Sequence, residues 1–296
     1  MPLLQLRTFT EVYRRNSLTA AAKALAMTQP AVSQHIASLE AQLGRPLFER
    51  HSRGVRPTRI ADDLAASIGS RIDEAEAALA SVRARSSELS GTIHIAAPAE
   101  FLAEYVARRL SPMIEAGLSL RLHIGGKDEI YDMVLSGKVQ LAITASKPVD
   151  RTLAFDKVAT ERLIAVATPQ LASARSTGDL SSFLKRVWHI AYDLDRPLIR
   201  TWLDVNALEV AELPVITVPD LRTVRELVLS GIGWSVLPDY MIGSELDDGT
   251  LIELTAPKKI PENALYLVWA KSVLRHPRVA FSRDRILDVL KSEEGA

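Results

Sequence analysis

The sequence contains no cysteine, which rules out a disulfide framework, a thiolate metal site and a cysteine-based redox sensor. It has no apolar run long enough to cross a bilayer, and the stretch from Met1 to Arg15 is too polar for a secretory signal, so cytoplasmic residence is expected. The usual enzymatic signatures are missing as well. Gly125-Gly126 lacks the spacing and the Lys-Ser/Thr tail of a phosphate-binding loop. The six histidines, His35, His51, His94, His123, His189 and His276, follow no metal-ligand spacing, and His94 and His123 fall in strand-like segments where structural histidines are commoner. Ser235, in Gly233-Trp234-Ser235-Val236, lacks the second glycine of a nucleophile elbow. No catalytic constellation, metal site or cofactor is therefore expected.

Net charge is also absent, with 36 basic and 36 acidic residues, yet its distribution is uneven. Residues 1–60 hold nine Lys and Arg against three acids, a net of +6, which leaves −6 on the rest. A basic head on an acidic body suits contact with a phosphate backbone, although a merely solvated basic surface would read the same way. At 296 residues and 47% hydrophobic, the chain can form two or three domains with substantial cores.

Within the basic head, Ser17 to Ile36 reads as two short helices joined by a tight turn, the layout of a helix-turn-helix DNA reader. Ala21, Ala22 and Leu25 share one face of the first helix, while Val32, Ile36, Leu39 and Leu43 follow helical steps in the second. Thr28 suits the cap of the second helix and Pro30 its first turn. Opposite the apolar stripe lie Pro30, Gln34 and Ala37, flanked by Ser33 and Ser38 and with Gln29 at the helix start, a small polar face that fits a major groove. Residues 45–50 and 55–58 then form a two-stranded wing around a turn at 51–54. Arg53 can reach a minor groove or a phosphate, and Arg50, Arg56 and Arg59 suit phosphates; for Arg50, pairing with Glu40 or Glu49 is the alternative. From Thr58 to about Ser87 a long helix carries Ile60, Leu64, Ile68, Ile72, Ala75, Leu79 and Val82 on one stripe. That stripe packs on its own domain or, as is commoner for so long a helix after a small head, on a second copy, which would present two heads to two half-sites.

These residues resemble the LysR-type transcriptional regulators, and the resemblance runs over the full length of the chain. At the N-terminus it is carried by Phe9, Ser17, Ala21-Ala22, Leu25, residues 28–33, Ile36, Leu39-Glu40, Leu43-Gly44, Leu47-Phe48, Arg50 and Arg56-Pro57-Thr58. Pro57 and Ala61 depart from the commoner Leu and Gly, away from the reading face. The resemblance implies that Gln29, Pro30, Ser33 and Gln34 contact bases and that Arg53 works in the wing. It extends the DNA-contacting set to Ser17, Thr19, Thr28, Ala31, Arg50, Arg56 and Thr58. It also implies double-stranded promoter DNA and RNA polymerase as partners, together with assembly to dimers and tetramers.

Beyond Gly91 the pattern changes to alternating strands and helices, an α/β architecture expected to have a largely parallel sheet. Strands are expected at 92–97, 118–124, 141–144, 163–167, 188–192, 215–218 and 264–269, and helices at 100–115, 129–136, 197–206, 221–230 and 277–291. The expected fold is thus α/β with an N-terminal all-α winged helix-turn-helix. Its divisions are a DNA-binding domain at 1–59, a linker and dimerisation helix at 60–90, and an effector domain at 91–296. The effector domain splits into lobe I (91–162 and 267–296) and lobe II (163–266), joined by crossing strands, and the resemblance implies that it is periplasmic-binding-protein-like. Gly231-Ile232-Gly233 before Leu237-Pro238 carries the match in lobe II, whereas Gln140 stands in place of the usual acid in lobe I.

Open sheets bind ligands at their strand ends, which points to Ala97-Pro98-Ala99, Gly126-Lys127, Ala145-Ser146, Tyr192-Asp193 and Asp220 with Arg222-Thr223. Helix N-termini and Lys127 would suit an anionic group, unless Lys127 is simply solvated. Asp193 and Asp195 would suit an amino group, unless Asp195 pairs with Arg196 or Arg200, and an amino-acid-like effector would use both signs. Two functions fit this reading: a ligand-controlled transcription regulator, and a plain two-lobed small-molecule binding protein. The helix-turn-helix with its wing favours the regulator.

Overall fold

A computed structural model describes the chain except residues 1, 52–53, 87–88, 174–178, 257 and 292–296. The head is built from α1 (Pro2–Arg15), α2 (Leu18–Leu25) and α3 (Gln29–Leu43), followed by the wing strands β1 (Phe48–His51) and β2 (Gly54–Pro57). Phe9, Val12, Ala21, Ala22, Val32, Ile36, Leu39 and Leu47 form its core, so the apolar stripes meet in one small cluster. Leu43 falls outside that core and stays 44% exposed at the end of α3.

Caps define the turn between α2 and α3. The Ser17 hydroxyl accepts from the Ala20 amide at 3.2 Å, and the Thr28 hydroxyl accepts from the Ala31 amide at 3.4 Å. Ala26 takes a left-handed conformation at the C-cap of α2, which lets the chain reverse within two residues. The wing is pinned to the head because the Val55 amide donates to the Asn16 carbonyl at 3.0 Å.

The long helix α4 (Arg59–Ser86) divides its contacts. Leu64 and Ile68 pack on the head, Ile72, Ala77 and Ala80 are buried, and Leu79 and Val82 remain 57% and 63% exposed. Of the two alternatives weighed from the sequence, packing on its own chain is realised over this part of the helix.

The effector domain begins with β3 (Gly91–Ala97) and a helical stretch opened by α5 (Ala99–Phe101). The single helix expected over 100–115 is instead broken. A π turn over Leu102–Val106 and a tight turn over Ala107–Arg109 precede α6 (Ser111–Glu115), which starts afresh because Pro112 supplies no amide to continue the preceding ladder. Next come β4 (Leu118–Ile124), α7 (Lys127–Leu135), β5 (Leu141–Thr144) and β6 (Leu153–Ala167). Lobe II contributes α8 (Pro169–Ser173), α9 (Leu180–Arg186), β7 (Ile190–Ala191), α10 (Pro197–Asn206), β8 (Ile216–Thr217), α11 (Leu221–Leu229), β9 (Ser235–Pro238), α12 (Gly243–Asp247) and β10 (Ile252–Glu253). The return strand β11 (Glu262–Ala270) and α13 (Pro277–Lys291) complete lobe I.

The sheet is mixed, which corrects the largely parallel expectation. β3 pairs in parallel with β4 and β5, but β11 runs antiparallel to β5 and β6, and β9 and β10 run antiparallel to β6. The strand expected at 163–167 begins ten residues earlier, at Leu153. This long strand joins the lobes: its first part pairs with β11, while Leu163 to Val166 pairs with β9. Its outer residues Asp156, Lys157 and Thr160 interrupt the apolar pattern, so periodicity alone missed them.

Candidate DNA interface and effector cleft

The N-terminal face of α3 is open to solvent. Thr28, Gln29, Pro30 and Gln34 are exposed, Ala31 and Ser33 are half-buried, and Val32 and Ile36 hold the opposite face in the core. Thr19 is exposed at the start of α2 and Arg56 is exposed on β2. Three of the expected contact residues are helix caps: Ser17, Thr28 and also Thr58, whose hydroxyl accepts from the Ala61 amide at 3.3 Å. Each cap therefore lies at a helix N-terminus, where the backbone dipole favours a phosphate. Arg50 is on β1 opposite Val55, with its side chain outside the described residues, and Arg53 lies wholly outside them. Glu40, weighed as a partner for Arg50, accepts from the amides of Leu47 and Phe48 at 2.7 and 3.2 Å and so anchors the first strand of the wing.

Between the lobes lies a cavity of about 330 Å³. Pro98, Gly126, Lys127, Ala145, Ser146 and Tyr192 of the expected set line it. Ala97, Ala99, Asp193, Asp220, Arg222 and Thr223 do not. Ala97 is buried in the sheet at 0% exposure. The polar members of the second group are engaged in local structure. Asp193 accepts from the Arg196 amide at 2.8 Å, and Asp220 caps α11 while holding the Arg222 guanidinium through two 3.0 Å hydrogen bonds. The Arg222 contact holds the Asp220 carboxyl below its ordinary range. Asp195 stands 3.9 Å from Arg200, the pairing weighed as its alternative role.

Sequence reasoning missed the acidic floor of this cavity. Glu161 and Glu100 both line it, and they are 5% and 8% exposed. Glu161 lies where β6 passes between the lobes, opposite Asn263 of β11, whose amide nitrogen donates to Glu161 Oε1 at 2.8 Å. Burial pushes the Glu161 carboxyl up to about 7, with Glu100 and Asp239 adding to the effect and Asn263 opposing it. Burial likewise raises Glu100. Phe101, Ile130, Leu163, Leu198, Leu221 and Leu265 form apolar walls. At the mouth the lobes nearly meet, since a β-carbon on Gly126 would come within 3.9 Å of the Tyr192 hydroxyl. Glu161 lies outside the strand expected at 163–167 and Glu100 opens the helix expected over 100–115, and nothing local to either distinguishes it from a solvated carboxylate.

Comparison with known proteins bears on both sites. Residues 3–62 match the model of the bacterial regulatory helix-turn-helix protein, lysR family, and residues 86–291 match that of the LysR substrate binding domain. The HTH-type transcriptional regulator AbaB of Streptomyces antibioticus is 33% identical over 288 residues, covering 95% of this chain and 95% of that one. This chain belongs to the LysR family of transcriptional regulators. The glycine cleavage system transcriptional activator of Escherichia coli K12 is 27% identical over 297 residues, with 99% of this chain and 95% of that protein covered. The structure of CrgA, a LysR-type regulator from Neisseria meningitidis, superposes with a TM-score of 0.59 at 21% identity, covering 97% and 98% of the two chains. Like other LysR-type regulators, the protein is a sequence-specific DNA-binding transcription factor controlled by a small-molecule effector bound between its two α/β lobes. Among the described residues no helix is long and apolar enough to cross a membrane.

Proposed function

We propose that the regulator works in the cytoplasm, without enzymatic activity, as a dimer or tetramer on promoter DNA. Residues 1–59 supply the reading head, 60–90 the linker and dimerisation helix, and 91–296 the effector domain. The N-terminal end of α3 enters the major groove, with Gln29, Pro30, Ser33 and Gln34 at base edges. Ser17, Thr19, Thr28, Ala31 and Thr58 lie along the backbone, and Arg50, Arg53 and Arg56 of the wing hold phosphates or a minor groove. Leu79 and Val82 on α4 form part of the dimer contact, which sets two heads against two half-sites.

The observation that carries this reading is the open polar face of α3, backed by a core of Val32, Ile36 and Leu39 and flanked by capped helix starts. Effector binding changes the closure of the lobes across Gly126 and Tyr192. That closure changes how effector domains pack in the tetramer, and hence the spacing of heads on DNA and their contact with RNA polymerase. Selection of genomic fragments by the full-length protein tests the reading. Wild type enriches fragments with paired half-sites about one helical turn apart. Enrichment no better than for random DNA refutes it.

A further inference from the structure

We propose that the effector of this regulator carries a protonated amine, or an equivalent cationic N–H donor, on an apolar body, with the cation seated between the carboxyls of Glu161 and Glu100. The inference rests on the reading of the cleft as the effector site and adds the chemical class of its ligand. Glu161 comes from β6 and Glu100 from α5, so two separate elements aim carboxyls into one cavity. Both residues are more than nine-tenths buried, and among the described residues neither forms an ion pair; Arg222, whose charge acts on Glu100, is held in a two-point contact by Asp220. Glu161 uses Oε1 for Asn263, and among the described residues nothing donates to Oε2. The Glu100 carboxyl accepts from its own backbone amide and feels the Asp220–Arg222 pair. Burying two acids without a counter-charge is costly unless they stay protonated or a ligand supplies the charge.

The surrounding charges point the same way. Asp239 faces Glu161, and Asp220 faces Glu100 with Arg222, whose guanidinium Asp220 already holds in a two-point contact. Tyr240 and Tyr192 stay neutral, raised by burial and then by these same acids. Lys127 lines the cavity but is exposed to solvent. Two of the helix starts beside the cavity are already satisfied by acidic side chains of the chain itself. Glu129 accepts from the Gly126 amide at 3.1 Å at the start of α7, and Asp220 accepts from the Arg222 amide at 3.0 Å at the start of α11.

Proton balance gives the inference a distinctive signature. Burial pushes Glu161 up to about 7, so near pH 6 an ammonium ligand meets a neutral acid. Its binding ionises Glu161, and the released proton goes to solvent. Affinity for a cation then rises close to tenfold per pH unit between about pH 5 and 7 and levels off above that range. A carboxylate ligand, which needs the acids protonated, would instead show a flat affinity below about pH 7 and lose affinity above it.

Phenethylamine and hydrocinnamate share an aromatic body and differ in the sign of the end group, so calorimetry of both against the full-length protein tests the class. The expected result is binding of phenethylamine with release of close to one proton near pH 6, and no binding of hydrocinnamate. Glu161→Gln, which keeps the volume and the acceptor used by Asn263, is expected to weaken the amine about tenfold and to flatten its pH dependence. Glu100→Gln weakens it as well, and unliganded melting curves verify that both variants fold. Tighter binding of hydrocinnamate, no binding of either probe, or amine binding indifferent to pH and to both variants would overturn the inference. Leu198→Trp, which fills the cleft, separates this failure from failure of the cleft itself. A ligand of another class blocked by Leu198→Trp overturns only the cationic class, whereas ligands that all ignore Leu198→Trp remove the effector site too.

Discussion

Replacing Gly54 by alanine should loosen the wing while leaving the effector domain untouched. Gly54 has φ +138°, and a β-carbon there would stand 2.5 Å from the Asn16 carbonyl oxygen, roughly 1 Å inside ordinary contact. Asn16 cannot yield freely, since the same oxygen accepts the 3.0 Å hydrogen bond from the Val55 amide. Backbone strain of about 2 kcal/mol and a lost hydrogen bond of about 1 kcal/mol together give about 3 kcal/mol. The four tryptophans, Trp188, Trp202, Trp234 and Trp269, all lie in the effector domain, so their fluorescence is blind to the head. Amide hydrogen exchange is the suitable assay: protection at Val55 should fall about a hundredfold, with the tryptophan melting curve unchanged. DNA affinity should fall as well, with little change in base preference, because wing contacts to phosphates position rather than specify. Unaltered exchange at Val55, or a lowered tryptophan melt, would refute the reasoning.

Replacing Gln29 by alanine should cost about 1 to 3 kcal/mol on a selected site and much less on random DNA, as read by competition binding. Leu79→Asp should shift sedimentation towards monomers by placing a charge in the proposed α4 contact; an unchanged profile would remove α4 from the interface. Glu161→Gln should raise urea stability above pH 7 and leave it unchanged near pH 4.5. The sign follows because the folded-state value of about 7 exceeds the ordinary glutamate value of 4.5, so burial penalises the folded protein increasingly as pH rises between the two. The gain at pH 8 is up to about 3 kcal/mol. Gly233→Ala should destabilise lobe II visibly in the tryptophan melt, because its β-carbon would lie 2.3 Å from the Trp188 carbonyl oxygen.

The reading head was legible because its signals are local. Thr28, Pro30 and the spacing of Val32, Ile36 and Leu39 encode a capped amphipathic helix within fifteen residues, and α3 spans Gln29–Leu43. Helices α10 and α13 were equally plain, each opening on a proline, at Pro197 and Pro277. The crossing strand β6 was not legible, since its outer half alternates weakly and finds its partner in β11 about a hundred residues later. The same distance hid the acidic floor of the cleft. Glu161 meets Asn263 from across the sheet, and Glu100 lines the same cavity from its helix start, contacts that no local pattern announces. The sequence also pointed to Asp193 and Asp220 as ligand-facing, but short-range hydrogen bonds to Arg196 and Arg222 engage them before any effector arrives.

The central claim is that the cleft controls the head, and linkage tests it directly. A ligand found to bind the cleft should change the affinity or the footprint of the full-length protein on a selected DNA fragment. That fragment should in turn change the ligand Kd by the same factor, measured by titration with and without DNA. Equal and reciprocal shifts are the predicted result. A ligand Kd unaffected by DNA, together with an identical footprint with and without ligand, would contradict the account.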